Sequence, residues 1–231
     1  ASTQEAQDNV AIAVADQIRD YLVNGTIRNA VNAPAVSGEA LVTLQPYLDL
    51  SQRLGSFLGQ IVQTGIKSVE AQYSGDVTEM ALKPITTSFL TGLLTPIMQD
   101  DVNQVNAPMV AADRGIVISE TRVSKGENFL SLLRYKVVTE RSEHIVEGTL
   151  FGKSEPRMVR YGGFRGEFDL SGDLILIDGV DKPGVIGKVG ATLGDKGVNI
   201  SHFQFARQEQ GGPALLFLNT DSKAGDESLE A

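Results

Sequence analysis

Residues 171–231 constrain the fold more than any other stretch. Leu174 to Ile177 is a short apolar run of strand length. Asp181-Lys182-Pro183-Gly184 is a turn, with Asp181 placed to cap a following helix. Val185, Ile186, Val189 and Leu193 give that helix an apolar stripe, and Gly187 and Gly190 beside it permit close packing on a sheet. Gly197 is a helix stop. Val198 to Arg207 and Ala214 to Thr220 read as strands on either side of a turn at Gly211-Gly212-Pro213. Strand, helix, strand, strand is the first part of a ferredoxin-like βαββαβ unit. Its second helix is expected to begin near Asp226, so the unit reads as incomplete at its C-terminus.

Upstream, helical and strand periods mix. Ser2-Thr3-Gln4-Glu5 fits a capping box, and Val10, Val14, Ile18, Tyr21 and Leu22 follow at helical spacing until Gly25. The short linker after Gly25 offers that stripe no cover. Residues 1–34 are therefore expected to pack on the next domain or outside the chain. Residues 35–170 form a second unit. Leu50, Leu54, Phe57, Leu58 and Ile61 predict a helix from about Pro46, closed by Gly65. Val69, Ala71 and Tyr73 alternate with Ser68, Glu70 and Gln72, a half-buried strand. Ile85, Phe89, Leu90, Leu93, Leu94 and Ile97 predict a second helix, with Pro84 at its start. Ile116 to Thr121 reads as a strand, and Phe129–Thr139 with His144–Phe151 as a hairpin turning at Glu140-Arg141-Ser142. Val31-Asn32-Ala33-Pro34 recurs at Val105-Asn106-Ala107-Pro108, but nothing around the copies repeats. The predicted class is α+β, a mixed α/β domain followed by the ferredoxin-like one.

Composition narrows the function. A net charge of −9 opposes nucleic-acid binding, which needs a basic face. No apolar run is long enough to span a membrane. The sequence has no cysteine, which removes disulfides, thiolate metal sites and a Cys nucleophile. It also fits a reducing compartment, and a cytoplasmic location is expected. The chain opens on Ala1 rather than Met and is expected to be a fragment or a processed chain.

Catalytic patterns are sparse, and no catalytic residue is assigned. His144 and His202 are the only histidines and fall in different units. No G-x-S-x-G elbow and no H-E-x-x-H pattern occurs, so no metal site is assigned. Gly148 to Ser154 resembles a phosphate loop but is one residue short and follows a strand without opening a helix. Gly184, Gly187 and Gly190 lie within a helix, where they cannot cradle a pyrophosphate. Asp100-Asp101 reads as a solvated helix end.

Two candidate sites stay open. Lys153, Arg157, Arg160 and Arg165 concentrate positive charge in an acidic chain. They suit a phosphate or carboxylate, or else a solvated edge strand protected by charge. The second site joins the turn Gly179 to Gly184 with Asn199. A helix N-terminus attracts a carboxylate and Asp181 an ammonium, a combination suited to a zwitterionic amino acid. The plainer reading has Asp181 capping the helix and Asn199 the strand entry. In a β-α-β crossover the two strands run parallel, so Asp181 ends one and Asn199 begins another, about 20 Å apart. One small ligand then reaches both only across a two-fold interface.

At this point the sequence resembles a known family. Ile177-Asp178-Gly179-Val180-Asp181-Lys182-Pro183-Gly184-Val185-Ile186-Gly187-Lys188-Val189-Gly190, followed by Gly197-Val198-Asn199-Ile200, is similar to the ACT domain of D-3-phosphoglycerate dehydrogenases. Val69–Gly75, Gly92-Leu93-Leu94-Thr95-Pro96, Val105–Val110 and Gly148–Gly152 resemble that family's intervening, allosteric substrate-binding domain. Ala1 to Gln7 and Arg28 to Asn32 resemble the segment closing its catalytic domain. The resemblance implies a regulatory and oligomerising region, a dimer or tetramer, of an enzyme that oxidises 3-phosphoglycerate with NAD in serine biosynthesis. It places the NAD site and the catalytic Arg, Glu and His upstream of Ala1. It implies L-serine sensing at an ACT dimer interface by positions matching Gly179, Asp181 and Asn199. Relatives carry His or Tyr where this chain has Gly179. It also implies an anion site near Arg157. A module that assembles without sensing, and a regulatory part of a serine dehydratase, are the alternatives.

Overall fold

In the computed structural model, residues 3–24, 38–98, 102–123 and 128–225 are described. Helix α1 spans Gln4–Asn24, where the capping sequence predicted it. The Thr3 carbonyl accepts hydrogen bonds from the N–H groups of Ala6 (3.0 Å) and Gln7 (3.2 Å). Val10, Val14, Ile18 and Leu22 stand exposed, so nothing among the described residues covers them. Ser2, Gly25, the first copy of the Val-Asn-Ala-Pro repeat, Asp100-Asp101 and the helix expected near Asp226 lie outside the described residues.

Helix α2 (Gly38–Ile61) corrects the expected start at Pro46, which sits inside it. A proline removes the N–H that would bond the carbonyl four residues back, here that of Val42. Val42 is among the exposed apolar residues, so water can serve that carbonyl in its place. The helix ends at Ile61 rather than at Gly65. Strand β1 (Ile66–Gly75) follows, with Val69, Ala71 and Tyr73 buried in alternation. Helix α3 (Leu82–Leu94) is buried along nearly its whole length, and Ile97 falls beyond its end. Short helix α4 (Ala107–Asp113), which sequence reading missed, precedes β2 (Val117–Val123). The hairpin of β3 (Ser131–Thr139) and β4 (Glu143–Phe151) turns where predicted. Two further strands, β5 (Glu155–Tyr161) and β6 (Phe164–Phe168), carry Arg157, Arg160 and Arg165, the stretch for which the sequence suggested an edge strand without bounds.

These strands form one sheet in the order β2-β1-β3-β4-β5-β6. Only β1 and β2 run parallel. Helices α2 and α3 cover one face, and glycine lets their backbones meet. A Cβ on Gly55 would lie 2.1 Å from the Phe89 carbonyl oxygen, and one on Gly92 2.0 Å from that of Gln52. No side chain fits at that separation. Beneath the helices runs a chain of buried hydroxyls. Ser51 Oγ donates to the Ile85 carbonyl (2.6 Å) and meets Tyr135 Oη at 2.6 Å. Tyr135 meets Tyr73 at 3.2 Å, and Tyr73 meets Thr86 at 2.8 Å. Thr86 donates to the Glu120 carboxylate.

Strands β7 (Asp173–Val180), β8 (Ile200–Arg207) and β9 (Pro213–Thr220) build the second sheet, ordered β7-β9-β8. Both outer strands run antiparallel to β9, so β7 and β8 are parallel, joined by helix α5 (Val185–Asp195). The described part of the unit is thus β-α-β-β. Gly197, at φ +73°, ends α5. Its N–H bonds the Gly194 carbonyl and that of Val198 the Leu193 carbonyl, a Schellman motif with Leu193 and Val198 in one apolar cluster.

Two expectations for α5 are corrected. Gly184, in the left-handed region, occupies the cap position, and no side chain caps the helix, so Asp181 is not its cap. Only Leu193 of the apolar stripe is buried, and Ile186 is 48% exposed. A Cβ on Gly187 or Gly190 would meet nothing within 4 Å, so these glycines do not pack on the sheet. At about 100° per residue, Val185, Val189 and Leu193 share the inner face, Gly187 falls opposite, and Gly190 lies at the flank beside Leu193.

Strand β9 is buried along almost its whole length. Leu218 joins the α5 cluster, whereas Leu215 and Phe217 join the core of the first sheet. The Phe217 ring lies 4.0 Å from Phe168 and 6.1 Å from Phe57, which meets Tyr161 edge-on at 5.1 Å. Asn219 Nδ2 donates to the carbonyls of Asp169 (3.1 Å) and Ser171 (2.9 Å). The second sheet is therefore bolted to the first through one face of β9.

Candidate effector site

Asp181 follows β7 directly. Its N–H donates to the Gly212 carbonyl (2.9 Å), which ties it to the β8–β9 turn. Its carboxylate accepts from the Gly211 N–H at 3.2 Å and from Arg207 Nη1 at 2.5 Å. The Arg207 hydrogen bond, seconded by Gly211, holds the carboxyl below the usual aspartate range. Sequence reading missed Arg207, the last residue of β8. Pairing Asp178 with Leu215 and Arg207 with Ala214 across β9 brings the two strand ends together, a relation that needs the strand order β7-β9-β8. Gly179 pairs with Ala214, and a Cβ there would meet nothing within 4 Å.

Asn199 sits elsewhere. Its Nδ2 donates to Asp221 at 2.5 Å, and its carbonyl accepts from the Asp221 N–H at 3.1 Å, a clasp across the other end of the sheet. Val180 pairs with Pro213 and Ile200 with Thr220, the two ends of β9. Seven residue steps at about 3.3 Å separate them by roughly 23 Å. Asp181 and Asn199 of one chain therefore cannot hold one small ligand together.

The basic residues do not converge as a set either. Lys153 is exposed in the β4–β5 turn at φ +85°. Arg157 donates to the Pro156 carbonyl (2.9 Å) and pairs with Glu155 (3.3 Å) and, more loosely, Asp169 (3.9 Å). Burial raises the Asp169 carboxyl, but the Ser171 hydrogen bonds and Arg157 outweigh it and leave the group lowered. Arg160 donates to the Gly162 carbonyl (2.8 Å) and shares Glu147 (3.4 Å) with Arg134 (2.9 Å). Arg165 faces Arg160 across the β5–β6 pair, exposed and without a carboxylate partner among the described residues. Arg134, Glu147, Arg160 and Arg165 line a cleft of about 560 Å³ on the sheet face opposite the helices. Arg134 was missed, although it alternates with buried Leu133 and Tyr135 on β3 as an outward residue should.

His144 lies on β4, its Nε2 2.9 Å from Ser142 Oγ, and burial lowers its pKa. His202 is exposed on β8. No cluster of potential metal ligands occurs among the described residues, and no described helix is long and apolar enough to cross a membrane.

Residues 43–161 match the family model described as the D-3-phosphoglycerate dehydrogenase intervening domain. The chain belongs to the D-3-phosphoglycerate dehydrogenase family. Residues 174–231 match the ACT domain, so the β-α-β-β unit carrying Asp181 is of that kind. Proteins named D-3-phosphoglycerate dehydrogenase from Methanocaldococcus jannaschii and Bacillus subtilis are each 34% identical over 230 residues, 100% of this chain and 44% of theirs. A relative from Arabidopsis thaliana, "D-3-phosphoglycerate dehydrogenase 3, chloroplastic", is 31% identical over 247 residues, 100% of this chain and 42% of its own. The chain thus spans less than half the length of the relatives it matches.

Proposed function

We propose that this chain is the regulatory and assembly region of a D-3-phosphoglycerate dehydrogenase. In this reading residues 1–34 close the catalytic domain, 35–170 are the intervening domain and 171–231 the ACT domain. The parent enzyme oxidises 3-phosphoglycerate to 3-phosphohydroxypyruvate with NAD, and NAD and the reacting groups belong to other parts of it. The chain associates as a dimer or tetramer in the cytoplasm. L-serine is the proposed effector, held across a two-fold axis by Asp181 of one chain and Asn199 of another. Gly179 leaves room beside Asp181. The separation of Asp181 and Asn199 to opposite ends of one sheet carries this reading, because it makes the site depend on assembly. Regulation then means that serine favours one quaternary arrangement over another. Arg157, Arg160, Arg165 and Lys153 are the proposed anion-binding residues, with Arg165 the best placed because it lines the cleft and no carboxylate among the described residues occupies it.

Calorimetry with L-serine on the assembled protein tests the sensor. Heat of binding in wild type, lost in Asp181→Asn, supports it. Absence of heat at millimolar serine refutes it. One observation favours a second reading, an assembly module that senses nothing: Asp181 is already paired with Arg207. That reading expects oligomers that persist unchanged with serine and dissociate when residues 171–231 are removed.

A further inference from the structure

The Asp181–Arg207 pair is more than the turn requires. Asp181 is fixed to the β8–β9 turn by two backbone hydrogen bonds, its own N–H to Gly212 and its carboxylate from Gly211. Arg207 adds a third partner from the end of β8. Its side chain is 48% exposed and that of Asp181 18%, so the guanidinium stands at the mouth and the carboxylate beneath it. An ion pair this accessible to water is held weakly and exchanges readily. The space beside it is open at Gly179, and neighbouring Val180 is 48% exposed.

We propose that Arg207 is the specificity-determining residue of this site, a tethered counter-ion that an α-amino acid displaces and then reuses. The ligand's ammonium takes the place of the guanidinium on Asp181, and the released guanidinium donates to the ligand's carboxylate. One ion pair becomes an alternating row of four charges, and the net charge of the site is unchanged. An amine alone would neutralise Asp181 but strand Arg207. A carboxylate alone would engage Arg207 but strand Asp181. Either group alone trades one ion pair for another and gains nothing, whereas a zwitterion breaks one pair and makes two. The site therefore selects zwitterions, and the geometry of one chain supplies both halves of that selection.

This inference rests on the reading of Asp181 as an ammonium site, and the test separates the two. Calorimetry compares L-serine with ethanolamine, which lacks the carboxylate, and 3-hydroxypropionate, which lacks the ammonium. Wild type is expected to prefer serine to either by at least about tenfold. In Arg207→Gln the serine-to-ethanolamine ratio is expected to fall to within about threefold, because the carboxylate has lost its partner while Asp181 has lost its competitor. Arg207→Lys, which keeps the charge, is expected to retain most of the preference and guards against a general loss of structure. Serine binding that needs Asp181 but keeps its full ratio in Arg207→Gln overturns the role of Arg207 and leaves the ammonium site standing. Serine binding unaffected by Asp181→Asn, or absent from wild type, overturns both.

Discussion

The buried hydroxyl chain allows a prediction that distance alone would get wrong. At its two ends the Ile85 carbonyl and the Glu120 carboxylate accept hydrogen bonds. Between them Ser51, Tyr135, Tyr73 and Thr86 supply four protons for five donor–acceptor gaps. One gap must lack a proton. Ser51 donates outward to Ile85 and Thr86 outward to Glu120, so the vacancy lies among the three inner gaps. The longest of these is Tyr73–Tyr135, 3.2 Å against 2.6 and 2.8 Å. Tyr135 then donates to Ser51, Tyr73 donates to Thr86, and the two tyrosine oxygens face each other without a bond. Each of Tyr73→Phe and Tyr135→Phe removes one buried hydrogen bond, an expected loss of about 1 kcal/mol apiece. Their coupling in a double-mutant cycle, measured by urea denaturation, should be under about 0.5 kcal/mol or slightly repulsive. A hydrogen bond between two buried hydroxyls would instead give about 1 kcal/mol of favourable coupling. A favourable coupling of that size refutes the proton count.

The same tyrosines set an alkaline limit. Burial pushes both above the ordinary tyrosine value, so the folded state keeps protons that the unfolded chain releases above about pH 10. Stability is then complete below pH 10 and falls above it by up to about 1.4 kcal/mol per pH unit for each tyrosine, a slope that Tyr73→Phe should reduce in denaturation curves between pH 8 and 11. Two helix glycines should respond oppositely to alanine. Gly55→Ala drives a methyl group into the Phe89 carbonyl and should destabilise by more than about 2 kcal/mol, whereas Gly187→Ala meets open space and should stabilise by about 0.5 to 1 kcal/mol. Phe217→Ala empties the aromatic joint between the sheets and should cost about 3 to 5 kcal/mol, with residues 173–220 gaining hydrogen exchange before the first sheet does. Similar thermal unfolding of both sheets in that variant would show that the joint lies elsewhere.

What the sequence made legible followed from how local the signals were. Gly197 and the Gly211-Gly212-Pro213 turn announced the ends of α5 and β8 because a left-handed residue or a proline acts on its immediate neighbours. Strand β1 and the β3–β4 hairpin showed through because one face is buried, leaving a clean period of two. The bounds of strand β5 were hidden by Pro156 and by Arg157 and Arg160 on an open face, and α4, which was missed, is only seven residues long. Pro46 misled because helix breaking by proline depends on whether water can serve the orphaned carbonyl, which only the fold decides. At the candidate site, Asp181 and Asn199 were legible and so was their separation. Arg207 was not, because its meeting with Asp181 depends on β9 lying between β7 and β8.

That central position of β9 also determines how the two halves of the chain influence each other. Its first residues pair with Gly179 and Val180 beside the candidate site, and Phe217, four residues along, sits among Phe57 and Phe168. With both faces buried, β9 cannot tilt without opening one of two apolar clusters. A ligand that altered only the Asp181–Arg207 pair would move exposed side chains and leave β9 where it is. A ligand that also engaged Asn199 of a second chain would instead fix two copies of β9 relative to each other. Each copy carries its own first sheet through Phe217, so the angle between chains would reach α2 as a rigid-body rotation and not as a deformation passed along the core. Binding across the interface is therefore the event with mechanical consequence in this fold. The exchange of Arg207 for a zwitterion is the local step that would select which molecule brings it about.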